Sequence, residues 1–330
     1  MTEPSRKIRW GVLGYARIAR LELIPAIRRS NGAEFFALAS RDAAKLDEAR
    51  AAFPDLTRTY SDYEALLRDP EIDAVYIPLP NSHHREWTLK AAADGKHVLC
   101  EKPLALNAAD VRDMIAACAL HGVLFMEAFM YRYTDRMLQV AEVLRSGVLG
   151  KIKFVQASHR FLLNRPDSIK LKPELGGGAL YDVGCYPVNF AGFVADFIAG
   201  EPGAARPASV AVECVRTGGI DESFSALLKY PSGLIASLHC GFNAHKRIAA
   251  EIVGTHGVLE VPDVFLDNAG ALVLTTGDDR REIPVAASDR YRLEIEDFSA
   301  AIREQRAPQL GLAESQRNAE VIDRMFAAAK

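Results

Sequence analysis

Three side chains in this chain have the chemistry for moving a proton beside a reacting carbon: Lys102, Asp182 and Tyr186. Lys102 follows the apolar run Val98-Leu99-Cys100, so it stands just past the end of an expected strand. Open parallel sheets bind their ligands beyond the carboxyl ends of the strands. An ammonium placed there can polarise a carbonyl or stabilise a developing alkoxide, and partial burial lowers its pKa toward neutrality. Asp182, Tyr186 and Asn189 fall at i, i+4 and i+7, a spacing that one helix face satisfies. A phenol near a lysine can shuttle a proton, and a carboxylate can orient hydroxyl groups or hold the lysine. Each also has a plainer reading: Lys102 as a solvated loop charge, Asp182 as a partner of the helix dipole, Tyr186 as core. The adjacent His83 and His84 point to opposite faces of an extended segment and make a poor metal pair, and the chemistry needs no metal.

A second constellation suits a nucleotide. Gly11-Val12-Leu13-Gly14-Tyr15-Ala16-Arg17-Ile18 ends the first apolar strand and opens the first helix. Glycines at such a turn let the backbone approach a pyrophosphate, and the helix N-terminus supplies N–H groups and a favourable dipole. The spacing is G-x-x-G-x-A, not G-x-G-x-x-G, so a tight turn without a ligand is the alternative. Its place in the first of a series of alternating strands and helices favours a nicotinamide dinucleotide. The second strand ends at Ser40-Arg41-Asp42. Arg41 suits the 2′-phosphate of NADP and can also stack on adenine, and Ser40 can hydrogen-bond the same phosphate. Asp42 either caps its helix or serves a ribose. NADP is the expected cofactor, with NAD as the alternative.

The elements that must carry these residues change character along the chain. Residues 7–13, 34–39, 74–77, 97–100 and 123–126 read as strands, and 18–29, 42–53, 62–67, 85–94 and 108–120 as helices. Pro25 is expected to kink the first helix or to sit where its missing N–H is tolerated, and Gly95 to close the fourth. This is an α/β Rossmann domain, a doubly wound parallel sheet over residues 1–128. Beyond it come a helix at 134–146, a long strand at 151–161, a glycine run at 176–178 with a helix after it, and strands at 210–216, 223–229, 234–240, 249–253 and 258–261. Pro231-Ser232-Gly233 makes an antiparallel hairpin of two of them. Helices at 295–306 and 313–329 close the chain. Residues 129–330 therefore read as an α+β domain on a large, mostly antiparallel open sheet, with the last helices free to return to the first domain. Strand 234–240 alternates its apolar residues with Ile235, Ser237 and His239, so neither face is fully polar; this points to a homodimer or dimer-based tetramer formed through the sheet.

Composition narrows the class. The chain has 330 residues, a net charge of −3 and 49% hydrophobic residues, which allows two ordinary cores and gives no basic footprint for nucleic acid. Five scattered cysteines without a C-x-x-C pair argue against a disulfide framework and a zinc knuckle. The first ten residues carry no apolar signal segment, and no stretch is apolar enough to span a membrane, so the cytoplasm is the expected compartment.

Four segments together resemble one family. Glu101-Lys102-Pro103, Ile77-Pro78-Leu79-Pro80-Asn81 with His84, the run Glu127-Ala128-Phe129-Met130-Tyr131-Arg132, and Gly176-Gly177-Gly178-Ala179-Leu180-Tyr181-Asp182-Val183-Gly184-Cys185-Tyr186 are similar to motifs of the glucose–fructose oxidoreductase / inositol 2-dehydrogenase / rhizopine-catabolism oxidoreductases. The likeness is greatest to the branch of NADP-dependent D-xylose 1-dehydrogenases and dihydrodiol dehydrogenases. The resemblance implies that Glu101 contacts the nicotinamide ribose, that Lys102 faces nicotinamide and substrate, and that Lys102, Tyr186 and Asp182 are catalytic. It places Pro80, Asn81 and His84 beside the cofactor and Tyr131 and Arg132, with Asp182 and Tyr186, at the substrate. It also implies a cis peptide between Lys102 and Pro103. Two departures bear on the substrate: Tyr133-Thr134-Asp135 stands where relatives commonly have histidine then proline, and Lys170 where the branch often has arginine. The implied reaction is hydride transfer between nicotinamide and a sugar or polyol carbon, with oxidation of an aldopyranose at its anomeric carbon as the leading form. Reduction of a ketosugar, oxidation of a dihydrodiol and a non-catalytic NADP sensor are the alternatives.

Overall fold

The computed structural model describes residues 6–329, which divide into two compact units. The first comprises residues up to Ala105 together with Ala109–Met130 and Asp289–Leu312. Its sheet has six parallel strands: β1 (Ile8–Leu13), β2 (Ala33–Ala39), β3 (Arg58–Tyr60), β4 (Ala74–Ile77), β5 (His97–Glu101) and β6 (Phe125–Ala128), in the order β3-β2-β1-β4-β5-β6. That order is the dinucleotide-binding one, with the crossover from β1 to β4 at the point where ligands bind. The central strands are buried on both faces, and β4 is apolar throughout, as helices on both sides require. β3 was not expected; Arg58-Thr59-Tyr60 has no apolar run because it is a half-buried edge.

The helices of this unit are α1 (Ile24–Arg29), α2 (Ala43–Ala52), α3 (Tyr63–Leu67), α4 (His84–Ala93) and α5 (Ala108–Leu120). Ahead of α1, residues 19–23 form a π turn in which the Ile24 amide donates to the Ala19 carbonyl. Pro25 stands in the first turn of α1, where its missing amide is tolerated, the second of its two expected outcomes. Asp42 and Asp62 cap α2 and α3 through the amides of Ala44 and Ala65.

The second unit comprises Leu106–Ala108, Tyr131–Ser288 and the chain from Ala313. After α6 (Asp135–Ser146), capped by Thr134, comes β7 (Ile152–Leu162). A π turn (Leu180–Gly184) runs into α7 (Cys185–Ala199), and β8 (Ser209–Thr217), β9 (Ile220–Lys229), β10 (Ile235–Gly241), β11 (Asn243–Gly254), β12 (Gly257–Pro262), β13 (Gly270–Thr276) and β14 (Asp279–Val285) follow. The sheet order is β14-β13-β12-β11-β7-β10-β9-β8. Every pairing is antiparallel except β7 with β10. Pro231-Ser232-Gly233 joins β9 to β10 as expected, with Gly233 at φ 85°. Ala157, Ala226, Ala236 and Ala250 lie buried on one face, small enough for α7 to settle against β7 and β10. Gly184 makes the approach possible, since a Cβ there would meet Cys240 Sγ at 2.7 Å.

Two helices close the chain. α8 (Arg290–Glu304) starts five residues before the expected 295, because Asp289 caps it through the Arg292 amide. It belongs to the first unit, where Ser299 accepts from the Trp10 indole at 3.1 Å and Phe298 lies 5.8 Å from that ring. α9 (Leu312–Ala328) belongs almost wholly to the second.

Candidate active site

In the first unit, Gly14 takes φ 97°, a conformation L-residues avoid, and its amide donates to the Ala39 carbonyl at 2.8 Å. The turn after β1 is thereby drawn toward the end of β2. Ala16, Arg17 and Ile18 open the helix: the Arg20 amide is bonded to the Ala16 carbonyl at 3.0 Å, and the amides before it face the N-terminal end. Gly11 has a different task from the phosphate contact expected. It lies inside β1, and a Cβ there would meet Leu66 Cδ2 at 2.7 Å, so its missing side chain admits α3. Tyr15 is buried with its ring edge-on to Phe53 at 6.5 Å.

The choice raised by Ser40-Arg41-Asp42 is also resolved. Asp42 is spent on the α2 cap, and Ser40 is buried with its hydroxyl accepting from the Asp42 amide at 3.2 Å. Arg41 is exposed, and its guanidinium lies over the rings of Tyr63 and Trp87 at 5.2 and 6.0 Å. The residues at this end therefore fit a dinucleotide with a further anionic group: a glycine turn, a helix N-terminus and a cation with no ion pair among the described residues.

Three of the motifs meet at the end of β5. Glu101 accepts from the buried Tyr76 hydroxyl at 2.6 Å, and the Lys102–Pro103 peptide is cis. His84 is fully buried between two carbonyls, its Nδ1 2.8 Å from Pro103 O and its Nε2 2.8 Å from Leu79 O. Burial pushes the imidazole pKa down to about 4, although both carbonyls favour a proton on the ring. Glu127 Oε1 accepts from the Leu104 amide at 3.3 Å. His84, expected beside the cofactor, has both ring nitrogens facing main-chain carbonyls and so ties the Lys102 loop to the Leu79 loop, from which Pro80 and Asn81 lead into α4.

In the second unit, Asp182 is ion-paired with Lys170, whose ammonium also lies 5.8 Å from the Phe161 ring. Lys170 sits on a turn that the glycine run holds: the Gly178 amide donates to Lys170 O at 2.9 Å, and the Gly177 amide to Lys172 O at 3.0 Å. A Cβ on Gly177 would come within 2.6 Å of Lys170 O, so this glycine serves the crossing of the chain. Asp221, at the start of β9, accepts from the Leu180 amide at 2.6 Å and leaves no room for a side chain on Gly178. Burial raises its carboxyl to about 6, against the lowering effect of the amides of Leu180, Asp221 and Ala179. This residue, absent from the sequence reading, pins the start of the helix that carries Asp182 and Tyr186.

Tyr186 lies in an aromatic nest, with ring centroids 5.2 Å from His159, 5.3 Å from Phe265 and 5.9 Å from Tyr131. Asp182 lies within the π turn and Tyr186 in the first turn of α7. Asn189, further along α7, is fully buried and accepts from the Tyr131 hydroxyl at 2.5 Å and from Arg132 at 3.3 Å. Arg132 is ion-paired with Glu314 at 2.7 Å and lies over Phe193 at 4.6 Å. Tyr131 and Arg132, expected at the substrate, are committed to tying the 130–133 turn to α7 and α9.

A parallel sheet of this order with a glycine turn, beside a separate mostly antiparallel unit, defines a two-unit dinucleotide-dependent oxidoreductase. Residues 8–129 match the oxidoreductase family with an NAD-binding Rossmann fold, and residues 137–260 match the GFO/IDH/MocA C-terminal domain. Among relatives, a D-xylose 1-dehydrogenase (NADP(+)) of Haloferax volcanii is 35% identical, covering 97% of both chains. A trans-1,2-dihydrobenzene-1,2-diol dehydrogenase of Xenopus laevis is 31% identical over 84% of this chain and 81% of its own. Among solved structures, a 3-ketoreductase from Actinomadura kijaniata in complex with NADP and TDP-benzene superposes with a TM-score of 0.90 at 29% identity, covering 98% of each chain. The chain belongs to the glucose–fructose oxidoreductase / inositol 2-dehydrogenase / rhizopine-catabolism family of oxidoreductases.

Proposed function

We propose that this enzyme transfers a hydride between NADP and a carbinol carbon of a sugar, acting as an aldopyranose 1-dehydrogenase of the D-xylose type. The observation that carries this reading is its likeness, over 97% of its length, to an NADP-dependent xylose dehydrogenase. Arg41 supports the cofactor assignment, since the nearby Asp42 is spent on capping and leaves the cation available to a 2′-phosphate. NAD lacks that phosphate and binds more weakly in this reading.

The bound dinucleotide supplies the hydride chemistry. Lys102, on a loop that His84 and Glu127 hold still, stabilises negative charge on the substrate oxygen through its Nζ. Tyr186 takes or returns the proton at its Oη. Asp182, ion-paired with Lys170, accepts hydrogen bonds from the sugar hydroxyls and fixes which carbon is presented. A second reading is reduction of a ketosugar, which the likeness to the 3-ketoreductase favours. The test is a panel of aldoses, ketosugars and dihydrodiols with NADP and NAD, followed by absorbance of the reduced cofactor. Turnover of D-xylose or another aldose with NADP is the expected result; turnover confined to ketosugars with reduced cofactor would select the second reading.

The protein acts as a homodimer or dimer-based tetramer in this proposal. By strand register, Ile235, Phe154, Val253 and Val258 form one row across β10, β7, β11 and β12 on the face away from α7, and Leu227 on β9 is 52% exposed. An apolar row on an open sheet suits a second copy of the chain.

A further inference from the structure

We infer that Tyr63 is a cofactor-binding residue with two roles: its hydroxyl donates to the anionic diphosphate end of the dinucleotide, and its ring is the platform that aims Arg41. The inference rests on the dinucleotide reading above and adds to it a contact that neither motif nor resemblance assigned.

Tyr63 is the first residue of α3, with Asp62 as the cap, so the helix start fixes its backbone. Its ring stands edge-on to Trp87 at 4.8 Å, and Trp87 is almost fully buried, so the ring has a rigid wall behind it. That wall brings the hydroxyl to the glycine turn: a Cβ on Gly14 would lie 3.3 Å from Tyr63 Oη and 3.2 Å from Leu79 Cδ2. A phenol so placed is a hydrogen-bond donor at the point where a pyrophosphate approaches the backbone. Burial raises the phenol's pKa, with Arg41 pulling the other way, and the donor stays protonated.

The charges around the ring are arranged to leave Arg41 for a ligand. Glu64, the next residue, is held by Lys90 at 2.9 Å, and Lys90 also pairs with Glu86 at 2.7 Å while covering the Trp87 ring at 4.2 Å. Asp62 and Asp42 are occupied as caps. The acids that would otherwise draw Arg41 aside are thus engaged, and its guanidinium rests on Tyr63 and Trp87, a cation–π contact that narrows its orientations before a phosphate arrives.

The two roles separate in two variants, read by titrating NADP and NAD into the intact protein and following intrinsic fluorescence. Tyr63→Phe keeps the ring and removes the hydroxyl; it should weaken both cofactors alike, by about five- to tenfold. Tyr63→Leu also removes the platform; it should weaken NADP about a further two- to fivefold while NAD stays where Tyr63→Phe left it. Unchanged affinities in Tyr63→Phe would overturn the hydroxyl contact, and an equal NADP-to-NAD ratio in the two variants would overturn the platform. A wild-type protein that binds neither nucleotide would instead overturn the dinucleotide reading, and this inference with it. Tyr63→Phe is close to isosteric and keeps the test valid even if Tyr63→Leu does not fold.

Discussion

Lys170 is ion-paired with Asp182, which ties the 169–171 turn to the π turn that carries the carboxylate. Lys170 lies on the 169–171 turn, and its main chain is bonded to the glycine run that leads into the helix of Asp182. Loop and helix are therefore locked at both backbone and side chain. Replacing Lys170 with methionine keeps the stem and removes the charge. The expected outcome is a rise of about five- to thirtyfold in KM for the sugar, with kcat changed less and NADP affinity kept. Both side chains are partly exposed, so the loss should shrink at high salt. Steady-state kinetics at two ionic strengths check both parts.

The first unit was largely legible in the sequence because its signals are local. Alternating apolar strands and capped helices give the parallel sheet, and only β3 escaped, for want of an apolar run. The second unit was legible in its strands up to residue 261, whereas the β13–β14 hairpin was missed. The site was harder for a physical reason: its supports are long-range. Asp221 meets Leu180 across 41 residues, and Arg132 meets Glu314 across 182, distances at which residue spacing carries no signal. The spacing of Asp182, Tyr186 and Asn189 carried no sign that the first lies in a π turn or that the last is buried against the Tyr131 hydroxyl. His84 was singled out as special, but its carbonyl partners were not legible, since an imidazole that bonds carbonyls and one that touches a ligand look alike in sequence.

Arg41→Ala should weaken NADP by roughly 1.5–3 kcal/mol, the scale of a charged hydrogen bond, and barely change NAD. The guanidinium has no ion pair to lose among the described residues, so the change should cost the fold little. Equal losses for the two cofactors in a binding titration would show that Arg41 contacts a part they share, such as adenine.

Acid should destabilise the protein through His84. Its pKa is about 4 when folded and about 6.5 when unfolded, so between those values the unfolded chain takes up a proton that the folded one refuses. The neutral ring's contribution is therefore present above pH ~6.5 and is lost as pH falls toward 4. Between pH 7 and 5 the loss from this one group is about 2 kcal/mol. His84→Gln cannot titrate and should show a pH dependence shallower by that amount in urea unfolding. Parallel curves for the two proteins would mean that the ring titrates alike in the folded and unfolded states, and a wild type that gains stability relative to the variant in acid would mean that the ring is protonated in the fold.

Light scattering at micromolar protein should give at least twice the 36.1 kDa chain mass. Ile235→Glu puts a charge in the apolar row of the open sheet at a position 41% exposed, where the subunit fold has little to lose. It should yield a monomer with an unchanged far-ultraviolet spectrum. A wild-type monomer, or a variant that assembles as before, would place the interface elsewhere.

The last prediction concerns the proton. Oxidising a hemiacetal carbon requires a proton to leave oxygen as the hydride leaves carbon. Neither a tyrosine nor a lysine is a good base at its reference pKa of about 10; burial favours the neutral lysine, whereas a buried tyrosine needs a nearby positive charge to give up its proton. Tyr186 is buried in its aromatic nest, and Lys102 stands on a loop that His84 and Glu127 immobilise. Lys102→Ala and Tyr186→Phe should each lower kcat by about 10²–10⁴, with cofactor affinity largely kept. If they act as a unit, the double variant should be little worse than the worse single one. Asp182→Asn should raise KM more than Tyr186→Phe does, because the carboxylate holds hydroxyls and does not carry the proton. Near-normal kcat in both single variants on a verified sugar would remove Lys102 and Tyr186 from the proton path.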